Sequence, residues 1–198
     1  AQEAKLDLIC RKLGLQPGMR VLDIGCGWGS FMGYAAEHYG VECVGVTVSR
    51  EQTAWAQQKY AGLPIEFRLQ DYHDISGQFD RIASVGMFEH VGRKNYRAYM
   101  DVARRCLTDD GLFLLHTIGT REDADGSDPW MDRYIFPNGE LPTISQISRA
   151  AKGRFVVEDL HNFGADYDKT LMAWQKNFKA AWPDFRHELG ERFYRMWE

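Results

Sequence analysis

The chain holds few cysteines, and none of them is paired by spacing. Cys10, Cys26, Cys43 and Cys106 are scattered through 198 residues without a C-x-x-C pair. That pattern argues against zinc ligation and against a disulfide framework. Reduced thiols in a cytoplasmic protein are expected. No long apolar run is present either. The longest, residues 111–118, is far too short to span a bilayer. No signal peptide opens the chain. Charge of one sign is not in large excess: the formal net charge is −4. Composition therefore supplies no global pull toward nucleic acid or anionic lipid, although a local basic face stays compatible with it. Internal repeats and low-complexity tracts are absent. An initiating Met is also absent, and Glu198 falls inside a helical pattern. An excerpt of a longer protein is expected.

What is present reads as one α/β domain, with 44% hydrophobic residues. Apolar residues recur at helical spacing over 2–13, and Gly14 and Pro17-Gly18 end that helix. Strands are predicted at 20–24, 42–46, 65–69, 81–85 and 112–118, with helices at 31–39, 50–60 and 94–106. Such alternation implies a parallel, doubly wound sheet with helices on both faces. Ligands bind beyond the carboxyl ends of its strands. Residues 119–142 form a long connection, expected to act as a lid or substrate wall. A helix at 143–151, a strand at 155–162 and helices at 167–181 and 184–197 follow. Pro183 is expected to separate the last two.

The first strand runs into Asp23-Ile24-Gly25-Cys26-Gly27-Trp28-Gly29-Ser30. Glycines at 25, 27 and 29 suit a tight turn that brings backbone N–H groups against a ligand. Ser30 at the sixth position departs from the dinucleotide fingerprint G-x-G-x-x-G. With Asp23, the loop resembles that of S-adenosylmethionine (AdoMet) methyltransferases. A glycine-rich turn of some other α/β protein is the plain alternative. The second strand ends Val46-Thr47-Val48-Ser49, without the carboxylate that usually binds ribose. Thr47 and Gln52 can serve as neutral ribose partners, while Ser49 reads as a helix N-cap. At the third strand end, Gln70 and Asp71 suit the adenine amino group, or are simply a polar strand end. Asp23 suits the cationic methionine portion or the loop backbone.

Further ionisable groups stand at the later strand ends. Glu89 follows Val85-Gly86-Met87-Phe88, His116 precedes Thr117-Ile118-Gly119, and Tyr167 follows Gly164-Ala165-Asp166. Singly, each has a structural explanation: a cap, a core histidine, a packing ring. Together at adjacent strand ends they point to function.

These segments carry a family resemblance. VLDIGCGWGS, VGVTVSREQ, LQDY, GMFEHVG, LLHTIG, YIFPNGELP and HNFGADYDKTLMAW together resemble the catalytic domain of bacterial cyclopropane-fatty-acyl-phospholipid synthases. The chain is also similar to the mycolic-acid cyclopropane synthases. The resemblance implies a class I AdoMet-dependent methyltransferase (a Rossmann-like sheet). It implies methylation of the cis double bond of an acyl chain in a membrane phospholipid, with bicarbonate as base. Cofactor contacts are then expected from Asp23, Gly25, Cys26, Gly27, Trp28, Gly29, Thr47, Gln52, Gln70, Asp71 and Val85. Bicarbonate is expected on Glu89, His116, the Ile118 backbone and the Tyr167 hydroxyl. Tyr167, Phe88 and Phe163 are candidate π partners for a cationic intermediate, at about 1–2 kcal/mol each. Trp130, Tyr134, Phe136, Trp174 and Trp182 are expected to be mostly core and tunnel wall rather than interfacial.

The resemblance further implies peripheral attachment to the inner face of a membrane and a possible homodimer, with no nucleic-acid partner. Family members carry an upstream cysteine beside the ion, an N-terminal lipid-interaction domain and a final antiparallel strand, none of which matches a segment of this chain. Weak or no activity is therefore expected of residues 1–198 alone. Methylation without ring closure, methylation of a small molecule, and an AdoMet-binding module without activity remain the alternatives.

Overall fold

A computed structural model describes residues 1–122, 128–137 and 139–198. The chain divides into two compact units, Ala1–Val156 and Val157–Glu198.

The first unit is built on a five-stranded, all-parallel sheet of order β3-β2-β1-β4-β5. Its strands are β1 (Arg20–Ile24), β2 (Glu42–Thr47), β3 (Ile65–Leu69), β4 (Phe79–Val85) and β5 (Leu107–His116). The helices are α1 (Gln2–Lys12), α2 (Ser30–Tyr39), α3 (Arg50–Lys59), α4 (Tyr96–Cys106), α5 (Pro129–Tyr134) and α6 (Ile144–Ala151). β1 is central and has apolar cover on both faces. Leu22 and Ile24 pack with Tyr99, Met100 and Ala103 of α4, whereas Val21 packs with Ile9 and Cys10 of α1 and Met32 of α2. The apolar stripe of α4, at positions 96, 99, 100, 103 and 106, is wholly buried. Burial of each such large side chain is worth about 1.5–3 kcal/mol. All four cysteines are free and buried.

The chain winds outward from β1 to β3 and returns to place β4 against the other side of β1. The topological switch therefore lies between β1 and β4. In such sheets the crevice at the carboxyl ends of the switch strands is where ligands bind. The glycine loop leaves β1 there, and the Glu89 turn leaves β4.

Several expected elements differ in detail. β5 starts at Leu107 rather than 112, although its regular parallel pairing with β4 begins at Leu112. The helix expected from 94 begins at Tyr96, behind a 3-10 turn at Arg93–Asn95. The long connection contains α5, capped by Asp128. Its residues 123–127, and Asn138 of the YIFPNGELP segment, lie outside the described residues.

The strand expected at 155–162 is not formed. Its Val156, Val157 and Leu160 are well exposed. β-branched residues favour extended backbone, but a strand exists only through a ladder, and no neighbour pairs with this segment among the described residues.

In the second unit a 3-10 turn at Gly164–Asp166 leads into α7 (Tyr167–Trp197). The helix runs through Pro183 and breaks instead at Gly190, where φ is 73° and ψ 163°. Proline keeps a helical φ and costs mainly a hydrogen bond. The Gly190 backbone is open essentially to glycine alone. The chain folds back at that point: Trp182 lies 5.1 Å from Tyr194, ring to ring, and Lys179 pairs with Glu198 at 3.0 Å. A straight helix would hold Trp182 and Tyr194 about 18 Å apart.

Candidate active site

The glycine loop uses much of its own hydrogen-bonding capacity to hold its shape. The N–H groups of Gly25 and Cys26 both donate to the carbonyl of Val46 at 3.0 Å, and Gly29 N–H donates to Cys26 at 2.9 Å. Those of Gly27 and Trp28 make no backbone hydrogen bond among the described residues. The expectation of a backbone cradle thus narrows to two amides at the loop tip. Gly25, with φ of 82°, is pressed against Met87, the residue before the turn that carries Glu89: a Cβ there would stand 2.7 Å from Met87 Cγ. The cofactor loop and the Glu89 turn are in direct contact. Cys26 is buried, and desolvation pushes its thiol up to about 12, so it fills space rather than reacts. Trp28 is half-exposed and sits edge-on to Trp55 of α3, at 5.4 Å.

Asp23, the last residue but one of β1, is only 3% exposed, and its Oδ1 has no hydrogen-bond partner. Loss of solvation alone pushes its carboxyl up to about 7. A buried carboxyl oxygen without a partner is costly. A carboxyl in this state is one that a cationic ligand would satisfy.

Thr47 is buried, and its hydroxyl donates to Gln52 Oε1 at 2.8 Å. The two form one polar unit at the end of β2. Ser49 is an N-cap, accepting from Gln52 N–H. Asp71 is exposed and accepts from His73 N–H at 2.9 Å and faces His73 Nδ1 at 2.7 Å, contacts that hold its carboxyl below the usual range. The polar-strand-end reading accounts for its Oδ1. Gln70 stands beside β2, its N–H bonded to the Thr47 carbonyl at 3.0 Å.

Glu89 lies in the 3-10 turn Phe88–His90 and is buried. Its Oε1 accepts from the Ile118 N–H at 2.8 Å, while its Oε2 is buried with no partner. His116 ends β5, in register with Val85 of β4, and its Nδ1 is likewise buried without a partner. Burial lowers the His116 pKa, assisted by the charge of Lys5 and opposed by that of Glu89, which favours the neutral ring. Gly86 N–H donates to the His116 carbonyl at 2.9 Å, tying the two strand ends together. Glu89, His116, Ile118 and Val85 are thus brought together at the β4–β5 end, with two polar atoms left for a ligand.

Tyr167 opens α7 in the second unit, half-exposed, with its ring edge-on to Trp174 at 6.0 Å. Phe163, in the same unit, stacks on His161 at 3.8 Å. Phe88 is fully buried with Tyr96 stacked on it at 4.2 Å and Tyr99 edge-on at 5.4 Å. Its faces serve the core, which removes it as a π partner for substrate. The five aromatics expected to be mostly core or wall divide: Trp182 is buried, Trp130 is intermediate, and Tyr134, Phe136 and Trp174 are exposed.

Glu140 is a residue that sequence reasoning missed. Its N–H donates to the Glu89 carbonyl at 2.9 Å, its Oε2 accepts from Arg93 N–H at 2.7 Å, and its own carbonyl accepts from the Tyr96 hydroxyl at 3.3 Å. It straps the far end of the long connection onto the Glu89 turn. Its only sequence signal was its place in YIFPNGELP.

Known proteins resemble this chain along its whole length. The chain is 57% identical to the cyclopropane-fatty-acyl-phospholipid synthase of Escherichia coli K12 over 196 residues, covering 99% of this chain and 51% of that protein. It is 33% identical to the sphingolipid C9-methyltransferase A of Emericella nidulans over 211 residues, covering all of this chain and 41% of that one. The chain therefore spans about half the length of the curated relatives it matches. Among solved structures, the cyclopropane synthase MmaA2 of Mycobacterium tuberculosis superposes with a TM-score of 0.88 at 32% identity, covering 100% of this chain and 75% of that one. The mycolic acid cyclopropane synthase CmaA1, complexed with S-adenosylhomocysteine (SAH) and CTAB, gives 0.87 at 35% identity with the same coverage. The fold is that of the class I AdoMet methyltransferases. The family profile described as mycolic acid cyclopropane synthetase matches residues 1–198, and the chain belongs to that family.

Proposed function

We propose that this chain is the catalytic portion of an AdoMet-dependent methyltransferase that converts the cis double bond of an unsaturated phospholipid acyl chain to a cyclopropane, with bicarbonate as base. The observation that carries the reading is the pair of unpartnered, buried polar atoms, Glu89 Oε2 and His116 Nδ1, at adjacent strand ends. Identity of 57% to a cyclopropane-fatty-acyl-phospholipid synthase supports the substrate class.

The chemistry requires such a site. An alkene is a weak nucleophile with no proton to lose beforehand, so a proton must leave the added methyl group after transfer. When bound, AdoMet supplies the electrophilic methyl group and bicarbonate the basic oxygen. Glu89 is fixed by the Ile118 N–H, which leaves Oε2 to accept from the hydroxyl of the ion and hold it aligned. The neutral His116 ring can donate from Nδ1 to a second oxygen of the ion. Apolar surroundings keep water away from the cationic intermediate. The Ile118 N–H serves the proposed ion set by holding Glu89 rather than by meeting the ion itself. The Gly27 and Trp28 amides, the remaining glycine-loop residues, Asp23, Thr47, Gln52, Gln70, Asp71 and Val85 form the proposed cofactor site.

Attachment to a membrane is peripheral in this proposal: no helix of the described residues is long and apolar enough to cross one. The testing experiment incubates the full-length protein that carries this catalytic portion with methyl-labelled AdoMet and vesicles of cis-unsaturated phosphatidylethanolamine, followed by mass analysis of the acyl chains. Addition of 14 mass units per acyl chain without the olefin is expected, since one CH2 is gained. Glu89→Gln should lower turnover about 100-fold or more while AdoMet still binds. Products that retain a double bond would replace cyclopropanation by simple methylation. Undiminished turnover in Glu89→Gln would remove the ion site from the reading.

A further inference from the structure

Among the described residues, Asp23 and Glu89 are the two carboxylates with a buried, unpartnered oxygen, and Asp23 is the more buried of them. It lies in register between Gly45 of β2 and Ala83 of β4, so neither directly paired residue offers it a polar side chain. The space over Gly45 is filled by Met32 and Cys26: a Cβ there would stand 2.3 Å from Met32 Cε and 2.7 Å from Cys26 Cβ. The titratable groups that sense the Asp23 charge are Cys26 from the loop, Cys43 from β2 and Tyr99 from α4. All three are acids raised first by burial and then by Asp23, so all are neutral at physiological pH. Ser84, which accepts from the Tyr99 hydroxyl at 2.7 Å, is neutral as well. No Lys, Arg or His is bonded to Asp23 among the described residues, and its Oδ1 has no partner at all. An ionised carboxylate in this position would leave its Oδ1 with neither solvent nor a counter-ion.

We propose that Asp23 carries a proton in the ligand-free chain and releases it when the cationic part of the cofactor seats, so that cofactor capture is linked to the release of one proton. The O–H bond of the carboxyl breaks and the proton passes to solvent; no electron pair leaves the protein, and the arriving onium cation takes the proton's place as counter-charge. The inference rests on the AdoMet reading of the glycine loop. It adds a specificity role: the site accepts a ligand that brings positive charge to the end of β1, and it rejects a neutral analogue. AdoMet carries two such charges, the sulfonium and the amino-acid ammonium. SAH carries only the ammonium.

Protonation near pH 7 places the linkage in an accessible range. Calorimetric titration of the full chain with AdoMet, in two buffers of different ionisation heat, counts the protons. Release of up to one proton per AdoMet is expected at about pH 6, falling toward none as the pH is raised to about 8.5. The dissociation constant should weaken about tenfold per pH unit on the acid side. Asp23→Asn should bind without proton release at either pH. A difference infrared spectrum of the wild-type chain supplies the same answer without a variant, through loss of a protonated-carboxyl band on AdoMet addition. Release with AdoMet but not SAH locates the counter-charge at the sulfonium, and release with both locates it at the ammonium. AdoMet binding without buffer-dependent heat at about pH 6 overturns the linkage and leaves the cofactor reading intact. Equal proton release by Asp23→Asn also overturns it. Failure of AdoMet to bind at any pH removes both.

Discussion

Gly25→Ala tests whether the cofactor loop and the Glu89 turn form one mechanical unit. Two separable penalties arise. The first is conformational: φ at Gly25 is 82°, and placing an L side chain in left-handed backbone costs about 1–2 kcal/mol. The second is steric. The new methyl would lie 2.7 Å from Met87 Cγ and 2.8 Å from Met87 Cβ, closer than any real contact. The β-carbon is anchored to the backbone before the Phe88–His90 turn, so rotation of the side chain cannot relieve the clash. Overpacking of this kind costs about 1–3 kcal/mol. The sum is about 2–5 kcal/mol. Gly27→Ala is the internal control: φ is 52°, but a methyl added there would meet no atom within 4 Å, so only the conformational part applies. Urea unfolding should separate the two variants by about 1–3 kcal/mol. Met87→Ala removes Cγ but keeps Cβ, so in a double-mutant cycle it should absorb part of that difference, bringing the Gly25→Ala penalty closer to that of Gly27→Ala. Equal unfolding midpoints for the two glycine variants, or a Gly25→Ala penalty unchanged in the Met87→Ala background, would refute the coupling.

The remaining predictions concern single groups. The folded Asp23 carboxyl sits at about 7 against 3.8 in the free state, so the folded chain binds the extra proton between these values. Stability from this group therefore falls as pH rises from about 4 to 7, by up to about 4 kcal/mol. In the absence of cofactor, Asp23→Asn should be more stable than wild type at pH 8 and should lose that part of the pH slope, as followed by chemical denaturation. Tyr99→Phe strands the Ser84 hydroxyl in a fully buried site and should cost about 1–3 kcal/mol, with Ser84→Ala in the same chain restoring part of it in thermal melts. Glu140→Ala removes the acceptor for Arg93 N–H, so kcat for methyl transfer should fall while the AdoMet dissociation constant stays unchanged; a parallel loss of AdoMet affinity would contradict a role confined to the Glu89 turn.

The legible and the illegible parts of this chain differ in one physical respect. Periodicity and turn chemistry are local, and they located every strand of the sheet. They also located the loop as a tight turn, because Asp23 and three glycines fall within seven residues, although the turn alone fits other α/β proteins too. Glu89 and His116 were legible as ionisable groups at strand ends, since an apolar strand carries such residues only with a partner or a purpose. What periodicity cannot encode is the partner. The strand expected at 155–162 has the right composition but no ladder, and Pro183 has the right reputation but a tolerable backbone, whereas Gly190 holds a conformation that no sequence pattern announces. Glu140 is the clearest case. Its side chain, N–H and carbonyl each bond to residues 44–51 positions earlier in the chain, and such contacts leave no local period to detect. The same holds within the loop. Glycines suggested a cradle of free amides, and only the tertiary contact to the Val46 carbonyl shows that two of them, Gly25 and Cys26, are already engaged. The binding capacity of the loop is thus decided by β2, whose Thr47 and Val46 end where β1 needs them, and not by the glycines alone. A substitution that shifts the β2 end should weaken the cradle as surely as one within it.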